Sequence, residues 1–274
     1  MSLMYASLNS GSNGNCYFVG NQEDGILMDA GLICKETIRR MRSLDLSMNK
    51  IRAIFISHEH IDHVRGLDVL TRTFQIPVYM NEKTRKNHHQ PLEEKWVRYL
   101  DDSYVVDIGA LRIHTFSKHH DAADPISFRV EHQGHSVGVF TDIGMVCENL
   151  QHHFSQCHAA FLEANYDEDM LANGSYPIYL KKRISGDKGH LSNKQALHLF
   201  QEYRPSFMQR LLLAHLSQHN NHPDVALATF ATHAKHVKVE VASRHHPTVL
   251  FSTNTQVENK TAPTSPVQLN IFGS

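Results

Sequence analysis

Short apolar runs, separated by polar or glycine-containing turns, dominate the first half of the 274-residue chain. Runs of this length, rich in β-branched and aromatic residues, are typical of buried or half-buried strands. They predict strands at 3–8, 15–19, 25–29, 51–57, 78–80, 103–107, 111–117, 126–131 and 136–141. Apolar residues at helical spacing predict helices at 35–44, 63–74 and 82–99.

The second half alternates between the two patterns more regularly. Strands are predicted at 159–164, 210–214 and 237–242, and helices at 176–184, 192–203 and 223–233. Two halves, each with strands followed by helices, predict an α/β fold in which two packed sheets are flanked by helices. The composition shifts to Thr, Asn, Pro and Ser near the end of the chain. We therefore expect one folded domain at 1–251 and a polar tail at 252–274.

Composition narrows the class of protein. The chain has 27 basic and 28 acidic residues, so binding to nucleic acid would require a local basic patch. Its four cysteines include no Cys-x-x-Cys pair, which favours reduced thiols. The first nine residues are too few and too polar for a signal peptide, and no run of about 18 apolar residues predicts a membrane span. We expect a cytoplasmic protein.

The candidate chemistry is concentrated in the sequence His-Glu-His-Ile-Asp-His at 58–63, directly after the apolar run 51–57. Imidazole and carboxylate groups at a strand end are the ligands that zinc and similar divalent metals prefer. His58 and His60 are two residues apart, so an extended loop can direct both at one ion. Asp62 and His63 follow where the chain enters a helix, and they would face a neighbouring ion. The spacing therefore predicts two metals.

Four ligands from one loop cannot complete a two-metal site, so further donors are expected at later strand ends. His119 and His120 follow the strand 111–117, Asp142 follows the strand 136–141, and His215 follows the strand 210–214. One carboxylate that bridges two ions holds them about 3.5–4 Å apart. Asp142 is the best candidate for this bridge.

These residues together resemble the metallo-β-lactamase superfamily, in which a His-x-His-x-Asp-His motif precedes a later His, an Asp and a final His. Within it, the chain is most similar to the YycJ-like (WalJ-like) branch. The segments that carry this resemblance are 7–15, 28–31, 163–167, 189–193 and 215–217. The resemblance implies a four-layer αββα sandwich with its metals at the edges of two mixed sheets.

The resemblance also implies how the ligands divide between the two ions. His120 is favoured over its rival His119 because an Asp-Ala pair follows it. One ion would be held by His58, His60, His120 and Asp142. The other would be held by Asp62, His63, Asp142 and His215.

Two adjacent divalent ions lower the pKa of a bridging water and bind an anionic substrate oxygen, so the chemistry expected is hydrolysis. Asp62 would orient the nucleophile and accept its proton. The resemblance to ribonuclease Z-type enzymes implies that His190 protonates the leaving oxygen and that Glu163 supports it. Ser192 begins a helix whose N-terminus favours phosphate. Asp29 is expected to support a ligand histidine from outside the metal sphere.

Two features favour nucleic acid as the substrate. The consecutive cations Lys181, Lys182 and Arg183 lie upstream of His190, beside tyrosines that could stack on bases. The second feature is the C-terminal sequence, which resembles the peptide that docks bacterial replication and repair proteins on the sliding clamp. Its anchor residues would be Gln268, Leu269, Ile271 and Phe272.

The leading hypothesis is a two-metal nuclease that acts on DNA in repair or replication, with an exonuclease as one form of it. One alternative is a hydrolase of a small ester, thioester or lactone that uses the same metals. Another is a non-catalytic metal-binding adaptor that is recruited through its tail. The ligand types favour zinc and also accommodate manganese or iron.

Overall fold

The computed structural model describes residues 2–100 and 104–253 of the chain. Fourteen strands in this part of the chain form two sheets of seven. Their bounds are β1 Met4–Asn9, β2 Cys16–Gly20, β3 Gly25–Met28, β4 Ile51–Phe55, β5 Val78–Asn81, β6 Val97–Leu100, β7 Val105–Ile108, β8 Leu111–Ser117, β9 Ile126–His132, β10 His135–Phe140, β11 Ala159–Glu163, β12 Arg210–Ala214, β13 Lys238–Val241 and β14 Phe251–Ser252.

Helices cover the outer face of each sheet. Their bounds are α1 Cys34–Ser43, α2 Ile61–Val64, α3 Leu67–Phe74, α4 Glu82–Asn87, α5 Glu148–Phe154, α6 Glu168–Asn173, α7 Ile178–Ile184, α8 Asn193–Tyr203 and α9 Pro223–Ala231. Helices α1 and α3 pack on the first sheet through apolar residues that include Met41 and Leu70. Helices α5, α8 and α9 pack on the second sheet through residues such as Phe154, Phe200 and Phe230. The predicted αββα sandwich is confirmed.

Both sheets are mixed, as predicted. The first has the order β14-β1-β2-β3-β4-β5-β6, and the second has the order β13-β12-β11-β10-β9-β8-β7. Strands β3 to β6 are parallel, and so are strands β10 to β13. The carboxyl ends of the parallel strands therefore meet at one edge of each sheet. Loops at such edges commonly carry the ligand-binding side chains of α/β folds.

The central core lies between the two sheets and is rich in aromatic residues. The rings of Tyr17 and Phe161 have centroids 4.9 Å apart, and Phe55 stacks on Tyr79 at 4.7 Å. Phe55 also meets Phe128 of the opposite sheet edge-on at 5.9 Å. Burying each such side chain contributes roughly 1.5–3 kcal/mol, so this layer fixes the position of one sheet on the other.

The helix predicted at 82–99 is wrong. Helix α4 ends at Asn87, His88 is extended, and the chain then forms the edge strand β6. Pro91 explains the error, because proline cannot continue a helix and disfavours helical geometry in the residue before it. The helix predicted at 63–74 is divided at Gly66, where a Cβ atom would lie 1.9 Å from the carbonyl oxygen of Leu32. Helices α5 and α6 were not predicted.

A residue with positive φ that is not glycine follows each of three parallel strands, at the sheet edge where their carboxyl ends meet. These residues are Asp29 after β3, Asp142 after β10 and His215 after β12, with φ values of 60°, 55° and 56°. Such conformations are uncommon for residues other than glycine and concentrate at functional sites. Each directs a polar side chain toward the same edge of the sandwich.

Candidate metal centre

The loop after β4 brings four of the predicted ligands to the sheet edge. His58 is fully buried, and His60 has extended backbone angles before α2 begins at Ile61. Asp62 and His63 lie in the first turn of α2, as their spacing predicts. The backbone amides of Asn15 and Ala30 donate to the carbonyl oxygens of Asp62 and His63 at 2.7 Å, and these bonds fix the loop.

Three imidazoles form what we term the histidine half of the centre: His58, His60 and His120. The Nε2 atom of His58 lies 3.1 Å from Nδ1 of His60, and the His120 ring centroid lies 4.9 Å from that of His58. One nitrogen from each ring lies within 4.8 Å of the others. Three imidazole nitrogens at this separation can bind one divalent ion.

Asp62, His63 and His215 form what we term the carboxylate half. The Oδ2 atom of Asp62 lies 3.6 Å from Nε2 of His63 and 3.7 Å from Nε2 of His215. The side chain of Asp62 is 16% exposed, whereas those of His63 and His215 are buried. This half therefore opens to solvent through its carboxylate.

Asp142 lies between the two halves and contacts both. Its Oδ1 atom is 3.8 Å from Nε2 of His120, and its Oδ2 atom is 3.2 Å from Nε2 of His63. Its Oδ1 atom is also 3.5 Å from Nδ1 of His215. Asp142 therefore has the position expected of a carboxylate shared by two ions.

The atoms in this cluster fit a divalent cation. His120 Nε2, His215 Nε2 and Asp142 Oδ2 are buried, and within the described chain they make no hydrogen bond. Buried polar atoms nearly always have a hydrogen-bond partner or another ligand. Three buried atoms without a hydrogen bond in one pocket therefore indicate a bound group that contacts all three. Imidazole nitrogen with carboxylate oxygen is the ligand chemistry of zinc and related metals.

Residues behind the ligands hold their rings in place. His63 Nδ1 lies 2.7 Å from Oδ2 of Asp29, so Asp29 occupies the supporting position that the sequence predicts. Ser57 donates to Asp29 through both its amide and its hydroxyl, and its Oγ atom lies 2.8 Å from Nδ1 of His58. Such outer contacts fix the tautomer and orientation of a ligand imidazole.

Several supporting residues were not predicted from the sequence. The amide nitrogen of Asn15 donates to Oδ2 of Asp62, and that of Asn165 donates to the carbonyl oxygen of His215. Buried Lys118 donates to the carbonyl oxygen of Thr141, immediately before Asp142. Asn15 and Asn165 lie in segments that carry the family resemblance, but nothing in the sequence indicates which ligand each one touches.

His190 and Glu163 form a pair beside the ligands, as predicted. His190 Nδ1 lies 2.8 Å from Oε1 of Glu163, and the same oxygen lies 3.0 Å from Nδ1 of His215. The other oxygen of Glu163 accepts from the backbone amides of Ile143 and Leu191. Glu163 is completely buried, whereas the side chain of His190 is 21% exposed. This arrangement orients His190 at the mouth of the pocket.

Burial and charge act differently on the two halves. Burial lowers the pKa of His58 well below its ordinary value and that of His120 to about 4. Burial also opposes the charged form of His63, but Asp29, Asp142 and Asp62 raise its pKa well above the usual range. In the same way Asp142, Asp62 and Glu163 outweigh burial and raise the pKa of His215 to about 10.

The carboxylates respond in the opposite sense. Burial raises the pKa of Asp142, but His215 and His63 outweigh it and hold that pKa well below the ordinary value. Burial of Glu163 is likewise outweighed by His190 and His215, which lower its pKa to about 2. Both carboxylates are therefore ionised at neutral pH.

The structure also locates the rival histidine and the predicted substrate contacts. His120 is buried in the cluster, whereas His119 is exposed, and its carbonyl oxygen accepts from Gly144. Lys181 donates to the carbonyl oxygen of Ala172, Lys182 is exposed, and Arg183 pairs with Asp121, the residue after His120. The positions predicted to bind the clamp lie outside the described residues. They are Gln268, Leu269, Ile271 and Phe272.

Ser192 begins α8, as predicted, and its hydroxyl is engaged by the helix itself. It is fully buried, and its hydroxyl accepts from the amide of Gln195 and donates to Glu168. Gln195 bonds back to the amide of Ser192, which completes a capping box at the start of α8. In this structure the hydroxyl therefore caps the helix and bonds to Glu168.

None of the helices in the described part of the chain has the length and apolar character that a membrane crossing needs.

Comparison with known proteins identifies the family. A model of the β-lactamase superfamily domain matches residues 25–216. Over 231 residues the chain is 34% identical to a Bacillus anthracis protein named exodeoxyribonuclease YycJ, a match that covers 82% of this chain and 87% of that protein. It is 32% identical over 234 residues to exodeoxyribonuclease WalJ of Streptococcus pneumoniae, covering 82% and 86%.

A solved structure shares the same architecture. The metallo-β-lactamase-fold protein YhfI of Bacillus subtilis superposes with a TM-score of 0.72 at 14% sequence identity, covering 92% of this chain and 100% of that chain. This likeness concerns the fold, while the sequence matches concern the family. The chain belongs to the metallo-β-lactamase superfamily of metal-dependent hydrolases, in the branch that contains YycJ and WalJ.

Proposed function

We propose that this protein is a two-metal phosphodiesterase that cleaves DNA from a strand end. The observation that carries the proposal is the pocket in which buried ligand atoms that make no hydrogen bond converge beside the His190–Glu163 pair. The relatives named exodeoxyribonuclease support a phosphodiester substrate and removal from an end. Zinc is the metal that these ligands favour, and manganese or iron would fit the same donors.

The halves of the centre divide the ligands between the two proposed ions. His58, His60 and His120 would hold the first ion, and Asp62, His63 and His215 would hold the second. Asp142 would contribute to both because it contacts both halves. Two bound divalent ions supply a nucleophilic water at neutral pH and neutralise charge on the phosphate.

Asp62 is the residue best placed to receive the proton of the attacking water. It is the solvent-facing carboxylate of its half, and Asn15 binds one of its oxygens. The amide of Asn15 therefore orients the Asp62 carboxylate. A carboxylate in this position acts as a general base and aligns the nucleophile.

His190 is placed to protonate the leaving oxygen of the substrate. Glu163 occupies its Nδ1 atom, so Nε2 is the nitrogen that can deliver a proton. Since Glu163 is also bonded to two backbone amides, it cannot turn away from His190 without losing those bonds. Glu163 is thus a positioning residue for His190.

The decisive experiment uses purified protein of defined metal content on 5′- and 3′-labelled DNA and RNA, both single- and double-stranded. A thioester and a lactone are assayed beside them. Release of nucleotides from one end of DNA, lost in Asp62→Asn, is expected. Hydrolysis confined to the thioester or lactone would replace the proposal with the small-ester alternative. Binding of metal without any hydrolysis would favour the adaptor.

The proposed clamp interaction is a separate matter. It concerns 252–274, the proposed tail, whose structure is not described beyond Thr253. Removal of residues 268–274 should abolish binding to the sliding clamp and leave hydrolysis unchanged. Unchanged clamp affinity in that truncation would exclude the docking peptide.

A further inference from the structure

The loop between β1 and β2 lies beside the metal centre but supplies none of its donor groups. It turns through Gly11 and Gly14, whose φ values are 138° and 148°. The amide of Gly11 donates to the side-chain oxygen of Asn15, whose own amide nitrogen reaches Asp62. Ser12 and Asn13, at the tip of this loop, are exposed. The loop is therefore a solvent-facing surface that connects directly to the centre.

Arg244 contacts this loop in an unusual way for a partly buried cation. Its Nη2 atom donates to Oγ of Ser12 at 3.1 Å, and its Nη1 atom donates to Oε1 of Gln218 at 3.2 Å. Within residues 2–100 and 104–253, no carboxylate lies within ion-pair distance of its guanidinium. Partial burial lowers the pKa of Arg244, as expected for a charge without an acidic neighbour.

A second arginine touches the same loop. Arg65, which directly follows α2, donates from Nη1 to the carbonyl oxygen of Asn13 at 2.9 Å and has no carboxylate partner in the described chain. Two other arginines of the protein are neutralised by carboxylates. Arg183 lies 2.5 Å from a carboxylate oxygen of Asp121, and Arg52 lies 2.7 Å from Asp24.

The topology places both cations at the edge that carries the centre. Arg244 follows β13, which pairs in parallel with β12, the strand that ends before His215. Gln218, which binds the Arg244 guanidinium, is three residues beyond His215. Arg65 is two residues beyond His63. Both positive charges therefore contact the same polar loop that borders the pocket.

We propose that Arg244 and Arg65, with the loop residues Ser12 and Asn13, bind a backbone phosphate of the DNA strand outside the metal centre. This inference rests on the proposed function and specifies how the strand lies in it. Arginine binds phosphate through charge-assisted, often bidentate hydrogen bonds, which are stronger than its present bonds to neutral oxygens. A phosphate can therefore replace Ser12 or Gln218 as a partner without leaving a carboxylate unpaired.

The test measures binding of a fluorescein-labelled single-stranded DNA that carries phosphorothioate linkages, by fluorescence anisotropy over a range of salt concentrations. Arg244→Gln is expected to raise Kd about tenfold and to reduce the slope of log Kd against log salt by about 1. Arg65→Gln should act in the same direction, and Arg244→Lys should restore part of the affinity. The matched control is Arg52→Gln, which removes one charge at the opposite end of β4 and should leave binding unchanged.

A second readout separates substrate binding from a structural role. Hydrolysis of bis(p-nitrophenyl) phosphate, which has no flanking phosphates, should have the same kcat/KM in Arg244→Gln as in the native protein. The thermal unfolding midpoint should also be unchanged. If small-substrate activity and the midpoint fall together with DNA affinity, Arg244 only tethers the loop, and the proposal is wrong. Equal DNA affinity and equal salt slope in Arg244→Gln and Arg52→Gln would overturn it as well.

The failure of this inference can be told apart from failure of the proposed function. If the native protein cleaves DNA and Arg244→Gln binds it equally well, the function stands and the phosphate subsite is excluded. If the native protein neither binds nor cleaves DNA, both proposals fall.

Discussion

The two halves of the metal centre hold their histidines by different means. In the histidine half, the second nitrogens of His58 and His120 meet neutral oxygens, the hydroxyl of Ser57 and the carbonyl of Gly189. In the carboxylate half, the second nitrogens of His63 and His215 meet the carboxylate oxygens of Asp29 and Glu163. The same ligand type is thus oriented by dipoles on one side and by charges on the other.

This difference decides which substitutions should affect which half. A change that removes a carboxylate behind His63 or His215 removes both orientation and charge from the carboxylate half, and Asp29 reaches the histidine half only through Ser57. The histidine half depends mainly on burial and on backbone geometry, so few side-chain substitutions outside the ligands should disturb it. Asp142, which contacts both halves, should be the exception.

Replacing Asp142 should have the largest effect. Asp142→Asn removes the charge that lies between the halves and keeps a residue that tolerates a left-handed backbone. We expect hydrolysis to fall by more than about 10⁴-fold, beyond the loss of a single proton-transfer group, and the metal content to fall below the two ions per chain that we propose. Elemental analysis and steady-state kinetics measure the two effects.

Asp45→Asn is the matched control, because Asp45 is an exposed residue with a similar φ of 57° outside the centre. It should keep both metals and full activity. If Asp142→Asn retained two ions and most of its activity, Asp142 would not be a carboxylate shared by two ions. Each half would then bind its ion independently of the other.

His190→Gln should have the next largest effect and should leave both halves occupied. Loss of a general acid slows hydrolysis by about 10²–10⁴-fold. The loss should be smaller on bis(p-nitrophenyl) phosphate than on DNA, since nitrophenolate leaves without a proton. Metal content should be unchanged. A fall in metal content would instead make His190 a ligand, as its position near Asp142, Glu163 and His215 would also allow.

Asp29→Asn tests most directly whether the two halves of the centre orient their histidines independently. Asp29 Oδ2 lies 2.7 Å from Nδ1 of His63, and in the described chain Asp29 makes no hydrogen bond to His58, His60 or His120. Loss of an outer partner of a metal ligand typically costs about 10–100-fold in affinity or activity. Metal titration followed by calorimetry should show one weakened site and one unchanged site. Equal weakening of both sites would show that the halves are coupled through Ser57, which contacts both Asp29 and His58.

Much of the centre could be predicted because its ligands follow a local pattern. Strand β4 delivers a motif with fixed spacing, and the later donors each stand directly after a buried strand. What could not be predicted depends on contacts between distant segments. Asn15 and Asp62 are 47 residues apart, and the amide of Asn15 reaches Asp62 only after β1–β2 and β4 have packed in one sheet. No local sequence pattern encodes that distance.

The errors in the fold have a similar origin. Apolar residues at helical spacing between 82 and 99 suggested one long helix, but Pro91 interrupts it and Val97 pairs with Val78 in the sheet. The pairing with β5 outweighs local helix propensity, which is a weak preference. The buried role of Ser192 illustrates the same limit, because a helix-capping serine and a phosphate-binding serine have the same sequence signature.

The smallest expected effect concerns this serine. Ser192→Ala removes a capping bond to Gln195 and a bond to Glu168, and loss of such a cap costs about 1 kcal/mol. Chemical denaturation should show this loss in the free energy of unfolding. KM for DNA and metal content should be unchanged, because neither half of the centre bonds to the hydroxyl. A higher KM with unchanged stability would show that Ser192 contacts the substrate and that the substrate site extends to the N-terminus of α8.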